Sequence, residues 1–312
     1  MNALLAVVIP CYRSAASIGA VVEEVLATCE REGIPVLVLL VEDASPDGGA
    51  TWAAISALCD AHPGRVRGLR LARNMGQHNA LLCGMQALPP EAAVVVTMDD
   101  DGQHRGADIP ALLAPLAEGA DLVIGAYDEK RHSGGRNLGG ALVDGLLRRL
   151  FRLPRGFQLT SFRAMRRFVA DHAVDEASEY TYLTAALLSA TPRRANAPVR
   201  HEPRRQGRSG YTLARALGLA ANLVFTHSRL PFYLTAGIGA AALLLTLVSL
   251  LYVLWLRFSM EDVIPGWASV MLMMGVQSTM LMAALVSILI YAVRSHRLLQ
   301  GRRTRWRIAD ER

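Results

Sequence analysis

The apolar residues of this chain fall into two regimes. Up to residue 126, short apolar runs alternate with stretches of helical periodicity. Leu4–Ile9, Val36–Val41, Val66–Leu71, Ala92–Met98 and Leu122–Ala126 read as strands, with helices at Ala15–Glu32, Thr51–Ala61 and Asn79–Leu88 between them. The strand runs are continuous rather than alternating, which is the pattern of strands covered on both faces. The order therefore predicts an α/β fold with a mainly parallel sheet, whose ligands sit beyond the carboxyl ends of its strands. The stretch Ala3–Ile9 lacks a basic leader and runs into Pro10, so it reads as a first core strand and not as a signal peptide.

The second regime begins after residue 210. Leu213, Leu217, Ala220, Ala221 and Val224 share one face of an expected helix within residues 211–229. Such a helix suits either a membrane interface or packing on the preceding domain. Two uncharged runs follow, Leu230–Leu256 with 27 residues and Val263–Val293 with 31. A helix needs roughly 20 apolar residues to span a bilayer, so two transmembrane helices are expected within residues 230–294. Arginines crowd both outer flanks (Arg204, Arg205, Arg208, Arg215 and Arg229 before; Arg294, Arg297, Arg302, Arg303, Arg305 and Arg307 after). By the positive-inside rule both termini are expected in the cytoplasm, with the chain crossing the inner membrane twice. Residues 295–312 then read as a basic cytoplasmic tail with Trp306 at the interface.

Composition agrees with a soluble part joined to a membrane part: 52% of residues are hydrophobic and mean hydropathy is +0.26. The net charge is +6, and Lys130 is the only lysine. Arginine suits phosphate and anionic lipid, and codon bias produces the same excess. Nucleic acid is not an expected partner, because the basic residues flank apolar spans and aromatics make up only 6%. The four cysteines, Cys11, Cys29, Cys59 and Cys83, show no C-x-x-C spacing and are expected to be reduced and mostly buried.

Polar clusters end four of the predicted strands. Asp99, Asp100 and Asp101 follow the fourth, with Gln103 and His104 close behind. Asp99 and Asp101 alternate at a strand end, so both point to one side. Their repulsion is relieved by a cation, and oxygen donors favour Mg2+ or Mn2+ with a diphosphate completing the shell. A solvated acidic turn has the same pattern. Glu42 and Asp43 end the second strand, where a carboxylate accepts hydrogen bonds from a ribose or base, or where Asp47 simply caps a turn. Pro10 and Tyr12 end the first strand, and Arg73, Gly76 and Gln77 follow the third. Each cluster is weak singly; together they converge on one crevice.

The stretches VVIPCYR, VEDASPDGG, LARNMGQHNAL, MDDDGQH and HEPRRQGRSGY, followed by the paired apolar runs, resemble glycosyltransferase family 2, and within it the polyprenyl-phosphate glycosyltransferases. The resemblance implies a GT-A catalytic domain over residues 1–210 that moves a sugar, with inversion, from a nucleotide-sugar donor to polyprenyl phosphate. It implies a nucleotide-sugar site at Pro10, Tyr12, Asp43, Arg73, Gly76, Gln77, Asp99 and Asp100, and a metal at Asp99, Asp101 and Gln103. Catalytic roles fall to Asp101, Arg204 and Arg136, and acceptor-phosphate contacts to Arg131, Arg136 and Ser209. Gly207 and Tyr211 belong to the element that closes over both substrates. The pattern departs at Glu42, usually Asp, at Gly210, usually Lys, and at Tyr127 and Gly140, where related enzymes often carry Arg and Ser. Arg131 or Arg208 is a substitute for the charge lost at Gly210. The resemblance extends to assembly, since such enzymes are often oligomeric and Gly237, Gly239 and Ala240–Ala242 offer a small-residue packing face. Two other functions fit the same motifs: transfer to a different lipid or polymer acceptor, and a non-catalytic membrane scaffold.

Overall fold

The computed structural model of the protein describes residues 3–127, 138–177, 182–200, 218, 220, 221, 223, 224, 230–259, 266–300 and 306–312. It divides into two units, residues 1–219 with 301–312, and residues 220–300.

The first unit is built on eight strands: β1 (Leu4–Cys11), β2 (Val36–Glu42), β3 (Val66–Leu71), β4 (Ala92–Thr97), β5 (Leu122–Tyr127), β6 (Arg163–Arg166), β7 (Arg194–Val199) and β8 (Ile308–Glu311). They form one sheet in the order β7-β5-β6-β4-β1-β2-β3-β8. The pairs β1–β2, β1–β4, β2–β3 and β5–β7 are parallel; β6 runs antiparallel between β4 and β5, and β8 antiparallel along β3. The helices are α1 (Ile18–Arg31), α2 (Ala50–Ala61), α3 (Gln77–Gln86), α4 (Ile109–Ala117), α5 (Leu138–Phe151), α6 (Arg167–Asp175) and α7 (Leu183–Ala190).

Strand side chains alternate between two cores. Leu5, Val7, Ile9 and Cys11 of β1 pack with α1, α2 and α4, while Ala6 and Val8 pack with α3, α6 and α7. Both faces are covered, which is why β1 and β2 read as unbroken apolar runs. Chain order reverses at β1: β2 and β3 lie on one side and β4 on the other. A crevice opens at such a switch point, at the carboxyl ends of the strands.

The five strands and three helices expected from the pattern are present with ends shifted by a few residues. The C-terminus departs from expectation. Residues 308–311 form an edge strand of the main sheet, and Trp306 is 7% exposed within the second core. The expected tail with an interfacial tryptophan is corrected accordingly: once this edge offers both a ladder and an apolar seat, burial stabilises the segment more than solvation does.

The second unit holds two further helices, α8 (Leu230–Ser259, 30 residues) and α9 (Trp267–Gln300, 34 residues). Leu243, Leu244 and Leu247 on α8 and Met282, Leu285 and Leu289 on α9 are each more than half exposed. Among the described residues one stretch, Met273–Ala292, is long and apolar enough to cross a membrane, with mean hydropathy 1.9; the apolar stretch of α8, Ala236–Ser249, is shorter. Gln277 Nε2 donates to Thr246 Oγ1 at 2.7 Å and ties the two helices. In the expected helix of residues 211–229, the described residues 218, 220, 221, 223 and 224 are helical; the others lie outside the described residues.

Gly84 lets α3 sit directly on the sheet. A Cβ there would meet Val8 Cγ1 at 2.4 Å and Val41 Cγ2 at 3.0 Å, both on stiff β-branched side chains. Overpacking costs about 1–3 kcal/mol, against about 1 kcal/mol gained by alanine over glycine in a helix. Gly84→Ala is expected to lower the thermal unfolding midpoint in detergent; an equal or higher midpoint contradicts this packing.

Candidate functional site

The loops after β1, β2, β3 and β4 enclose a cavity of about 340 Å³ lined by Pro10, Cys11, Tyr12, Asp43, Asn74, Gly76, Gln77, Asp99, Asp100 and Asp101. The strand ends supply these residues because parallel strands in one sheet deliver their carboxyl ends to one edge.

Each loop is pinned by a buried or half-buried carboxylate. Asp43 Oδ1 and Oδ2 accept from the backbone N–H groups of Met75 (2.6 Å) and Gly76 (2.8 Å), so the end of β2 holds the loop after β3. Asp100 Oδ2 accepts from Tyr12 N–H at 3.0 Å and joins the ends of β1 and β4. Glu42 Oε1 accepts from Ser45 N–H at 2.5 Å, its Oε2 lies 3.3 Å from Arg70 Nε, and Ser45 Oγ accepts from Arg13 N–H at 3.0 Å. These bonds hold Arg13 and Ala44 at φ 57° and 49°, a left-handed conformation that costs such residues about 1–2 kcal/mol. Glu42, longer than the usual aspartate, thus reaches both its own turn and β3.

Asp99 is held from three directions. Gln77 Nε2 donates to its Oδ1 at 2.6 Å and Ser161 Oγ to its Oδ2 at 2.8 Å, while its own N–H donates to His104 Nδ1 at 2.9 Å. His104 is therefore neutral, with its proton on Nε2, which lies 2.9 Å from the Tyr127 hydroxyl and 3.7 Å from Asp99 Oδ2. The imidazole stacks on Phe162 at 4.8 Å. Asp101 Oδ1 accepts from Gln103 N–H at 3.1 Å, closing the turn.

The electrostatics are those of a recessed acidic wall. Burial raises the pKa of Asp43, and that of Asp100, with the N–H donors of Met75 and Gly76, and of Tyr12, opposing it. Burial, then the charges of Asp99 and Asp101, push the Tyr127 phenol up, so it stays protonated. Beneath Asp99 sits Arg163, 5% exposed, donating to Thr160 O (2.6 Å) and Thr184 Oγ1 (2.8 Å) with no carboxylate within 4 Å among the described residues. α3 begins at Gln77, and its N-terminal end favours an anion in the cavity.

A model of glycosyl transferase family 2 matches residues 6–173, more than half of the chain. The chain belongs to glycosyl transferase family 2. Among curated proteins, undecaprenyl-phosphate 4-deoxy-4-formamido-L-arabinose transferase of Enterobacter sp. (strain 638) is 29% identical over 268 residues, covering 85% of this chain and 79% of its own. Among solved structures, mannosyl-3-phosphoglycerate synthase from Rubrobacter xylanophilus matches with TM-score 0.52 and 20% identity over 71% of this chain and 74% of that one. Glucosyl-3-phosphoglycerate synthase from Mycobacterium tuberculosis, crystallised with Mn2+, UDP and phosphoglyceric acid, matches with TM-score 0.50 and 18% identity over 72% and 77%. These likenesses are of fold, a GT-A-like α/β domain.

Within this family 2 domain, the structure brings together Pro10, Tyr12, Asp43, Gly76, Gln77, Asp99, Asp100 and Asp101. Arg73 is exposed on the same loop but is not among the lining residues, and Gln103 contributes its backbone N–H to the turn. Arg131, Arg136, Arg204, Gly207, Arg208, Ser209, Gly210 and Tyr211 lie outside the described residues. Gly140 falls in α5. The four cysteines are free and buried, and burial pushes up the Cys11 thiol at the cavity floor. Sequence reasoning gave no role to His104, Ser161 or Arg163. His104 was visible two residues past Gly102 in the acidic motif, whereas nothing near Ser161 marks it as a partner of Asp99.

His78, in the first turn of α3, accepts from Leu183 N–H through Nδ1 at 3.1 Å and packs on Tyr182. Burial, then the charge of Arg163, lowers its pKa to about 4 from 6.5. As pH falls the unfolded chain takes up this proton first, so stability held above about pH 6.5 is lost progressively down to about pH 4. His78→Asn keeps an acceptor without titrating. Its unfolding free energy is expected to fall less than that of the parent between about pH 7 and 5; equal falls contradict the assignment.

Proposed function

We propose that the protein transfers a sugar, with inversion, from a nucleotide-sugar donor to the phosphate of a polyprenyl lipid such as undecaprenyl phosphate, at a membrane surface. The observation that carries this reading is the acidic wall of the switch-point cavity, in which Asp99 and Asp101 stand at one strand end. Support for the acceptor comes from the curated relative, a transferase to undecaprenyl phosphate, and from the exposed apolar faces of α8 and α9.

The residues fit a divalent cation shared with a ligand. Asp99 is met by neutral donors, Gln77 and Ser161, and no arginine or lysine lies within 4 Å of it among the described residues. Among those residues no three His, Cys, Asp or Glu side chains are arranged to hold an ion alone. Asp99, Asp101 and, through its side-chain oxygen, Gln103 would hold Mg2+ or Mn2+, with diphosphate oxygens completing the shell. The ion supplies neutralisation of charge on the departing nucleoside diphosphate.

The chain's own residues do the rest. Tyr12 and Asp43 border the nucleoside end of the cavity, and Gly76 and Gln77 bring the start of α3 to the diphosphate. Ser161, Gln77 and His104 fix Asp99 before substrate arrives, which avoids reorganisation during the reaction. A lipid phosphate oxygen attacks the anomeric carbon; the bond from that carbon to the diphosphate breaks, and its electron pair leaves with the nucleotide. The attacking oxygen is already ionised at neutral pH, so no general base is required. In this reading Arg136, Arg131 and Ser209 take the acceptor phosphate, and Arg204 and Arg73 assist the leaving group electrostatically. Alignment of the two substrates is worth up to about 7–11 kcal/mol.

Parity supports a membrane arrangement. β8 pairs with β3, which supports a reading in which the residues after α9 share a side of the bilayer with the domain before α8. An even number of crossings between them suits α8 and α9 crossing as a hairpin tied by Gln277 and Thr246. The arginine-rich flanks favour the cytoplasmic side for both termini. A small-residue stretch in α8, Gly237–Ala242, suits assembly with a second copy.

Purified protein given undecaprenyl phosphate in micelles, a panel of nucleotide sugars and Mn2+ is expected to yield a sugar-phosphate lipid, read by mass. Asp101→Ala is expected to reduce that yield at least about 100-fold. No product from any donor, or full activity in Asp101→Ala, overturns the reading. A reporter fused after Arg312 and one inserted between α8 and α9 are expected on opposite faces of the membrane; the same face for both contradicts the hairpin.

A further inference from the structure

The segment that returns after α9 grips both elements that flank the loop on the donor cavity. That loop, residues 72–76, joins β3 to α3, and with Gln77 it carries the cavity residues Asn74 and Gly76. On its β3 side, β8 runs antiparallel with Leu69 opposite Glu311, Arg70 opposite Asp310 and Leu71 opposite Ile308. The pairing continues beyond the end of β3, where Ala72 N–H donates to Arg307 O at 2.8 Å. At the other end of the strand Gly68 and Arg312 exchange N–H···O bonds of 2.9 Å. Asp310 Oδ2 also accepts from Trp52 Nε1 of α2 at 3.1 Å. On the α3 side, Trp306 is buried in the core that α3 shares, and its Nε1 donates to Gln86 Oε1 at 3.0 Å, at the last residue of that helix.

The loop has few other anchors. Ala72, Arg73, Asn74, Gly76 and Gln77 are exposed and Met75 packs half-buried on the second core; among the described residues the remaining side-chain bonds are the two amides on Asp43, Gln77 on Asp99, and the internal bond from Asn79 to Met75 O. A strand that merely covered the sheet edge would need neither the bond past the strand end nor the tryptophan at the far end of α3.

We propose that Trp306–Arg312 is a clasp that positions the donor loop, so that the C-terminal residues set donor affinity without touching the donor. The proposal rests on the cavity's being the donor site. It makes the clasp a positioning element: it holds the start of the loop at Ala72 and, through Gln86, the far end of the helix into which the loop runs, and the loop presents Gly76 and Gln77 to the diphosphate and to Asp99. Loss of the clasp frees a loop that ligand must then order, at a cost in affinity.

Hydrogen–deuterium exchange on the full-length protein in micelles tests this without a ligand. In Trp306→Ala, amides of residues 72–77 are expected to exchange at least about tenfold faster, with those of β1 and β4 unchanged. Gln86→Ala, a surface change that removes only the hydrogen bond, is expected to give a smaller rise at the same amides, and it decides the matter if Trp306→Ala does not fold. In the transfer assay both variants are expected to raise donor KM and leave acceptor KM within about twofold. Unchanged exchange at residues 72–77, or an equal rise across β1 and β4, overturns the clasp. Absence of transfer by the parent protein sinks the transferase reading instead, and the exchange result still decides the clasp.

Discussion

The site depends on one constraint: a carboxylate at the end of a central strand is fixed by neutral donors and, among the described residues, has no contacting arginine or lysine. Asp99 accepts from Gln77 and Ser161 and anchors its backbone on His104, three residues from three different parts of the chain. Neutral donors orient a carboxylate without cancelling its charge, whereas an arginine in either position would do both. The carboxylate of Asp99 therefore keeps its attraction for a cation. The fold brings those donors together only because β4 lies between β1 and β6 at the point where chain order reverses.

The same economy governs the neighbouring loops. Asp43 and Asp100 accept from backbone N–H groups of adjoining loops and Glu42 from Ser45 N–H in its own turn, which fastens the cavity rim and keeps Arg13 and Ala44 in unfavourable backbone conformations. Arg163, buried and with only neutral hydrogen-bond partners among the described residues, adds a positive charge below the wall. A buried charge without a contacting counter-ion is costly, and its nearness to Asp99 offsets part of that cost.

Much of this was legible in the sequence where the physics is local. β1, β2, β4 and β5 announce themselves as apolar runs because both faces of a central sheet are buried, β3 is weaker because Arg67 and Arg70 interrupt it, and the strand-end clusters follow because parallel strands deliver their ends to one edge. β6, β7 and β8 were not legible. β6 carries Arg163 and Arg166 in four residues, β7 contains Pro198 and lies at a sheet edge, and β8 is the polar sequence Ile-Ala-Asp-Glu. Such strands exist because a partner edge is waiting for them, and no window of sequence reports that. Trp306 was misplaced for the same reason, since its basic neighbours suggest a membrane interface while its seat is formed by α3, more than 200 residues earlier. Of the site, the aspartates were visible as a motif, whereas Ser161 and His104 act on Asp99 through contacts that only the fold creates.

If the acidic wall holds an ion only in company with a diphosphate, the two ligands must strengthen each other. Calorimetric titration of the full-length protein with Mn2+, in the presence and absence of a saturating nucleoside diphosphate, measures that coupling directly. Affinity for Mn2+ is expected to rise at least about tenfold when the nucleotide is present, about 1.4 kcal/mol, with the same factor in the reciprocal titration. Binding of Mn2+ that is indifferent to the nucleotide would contradict the account.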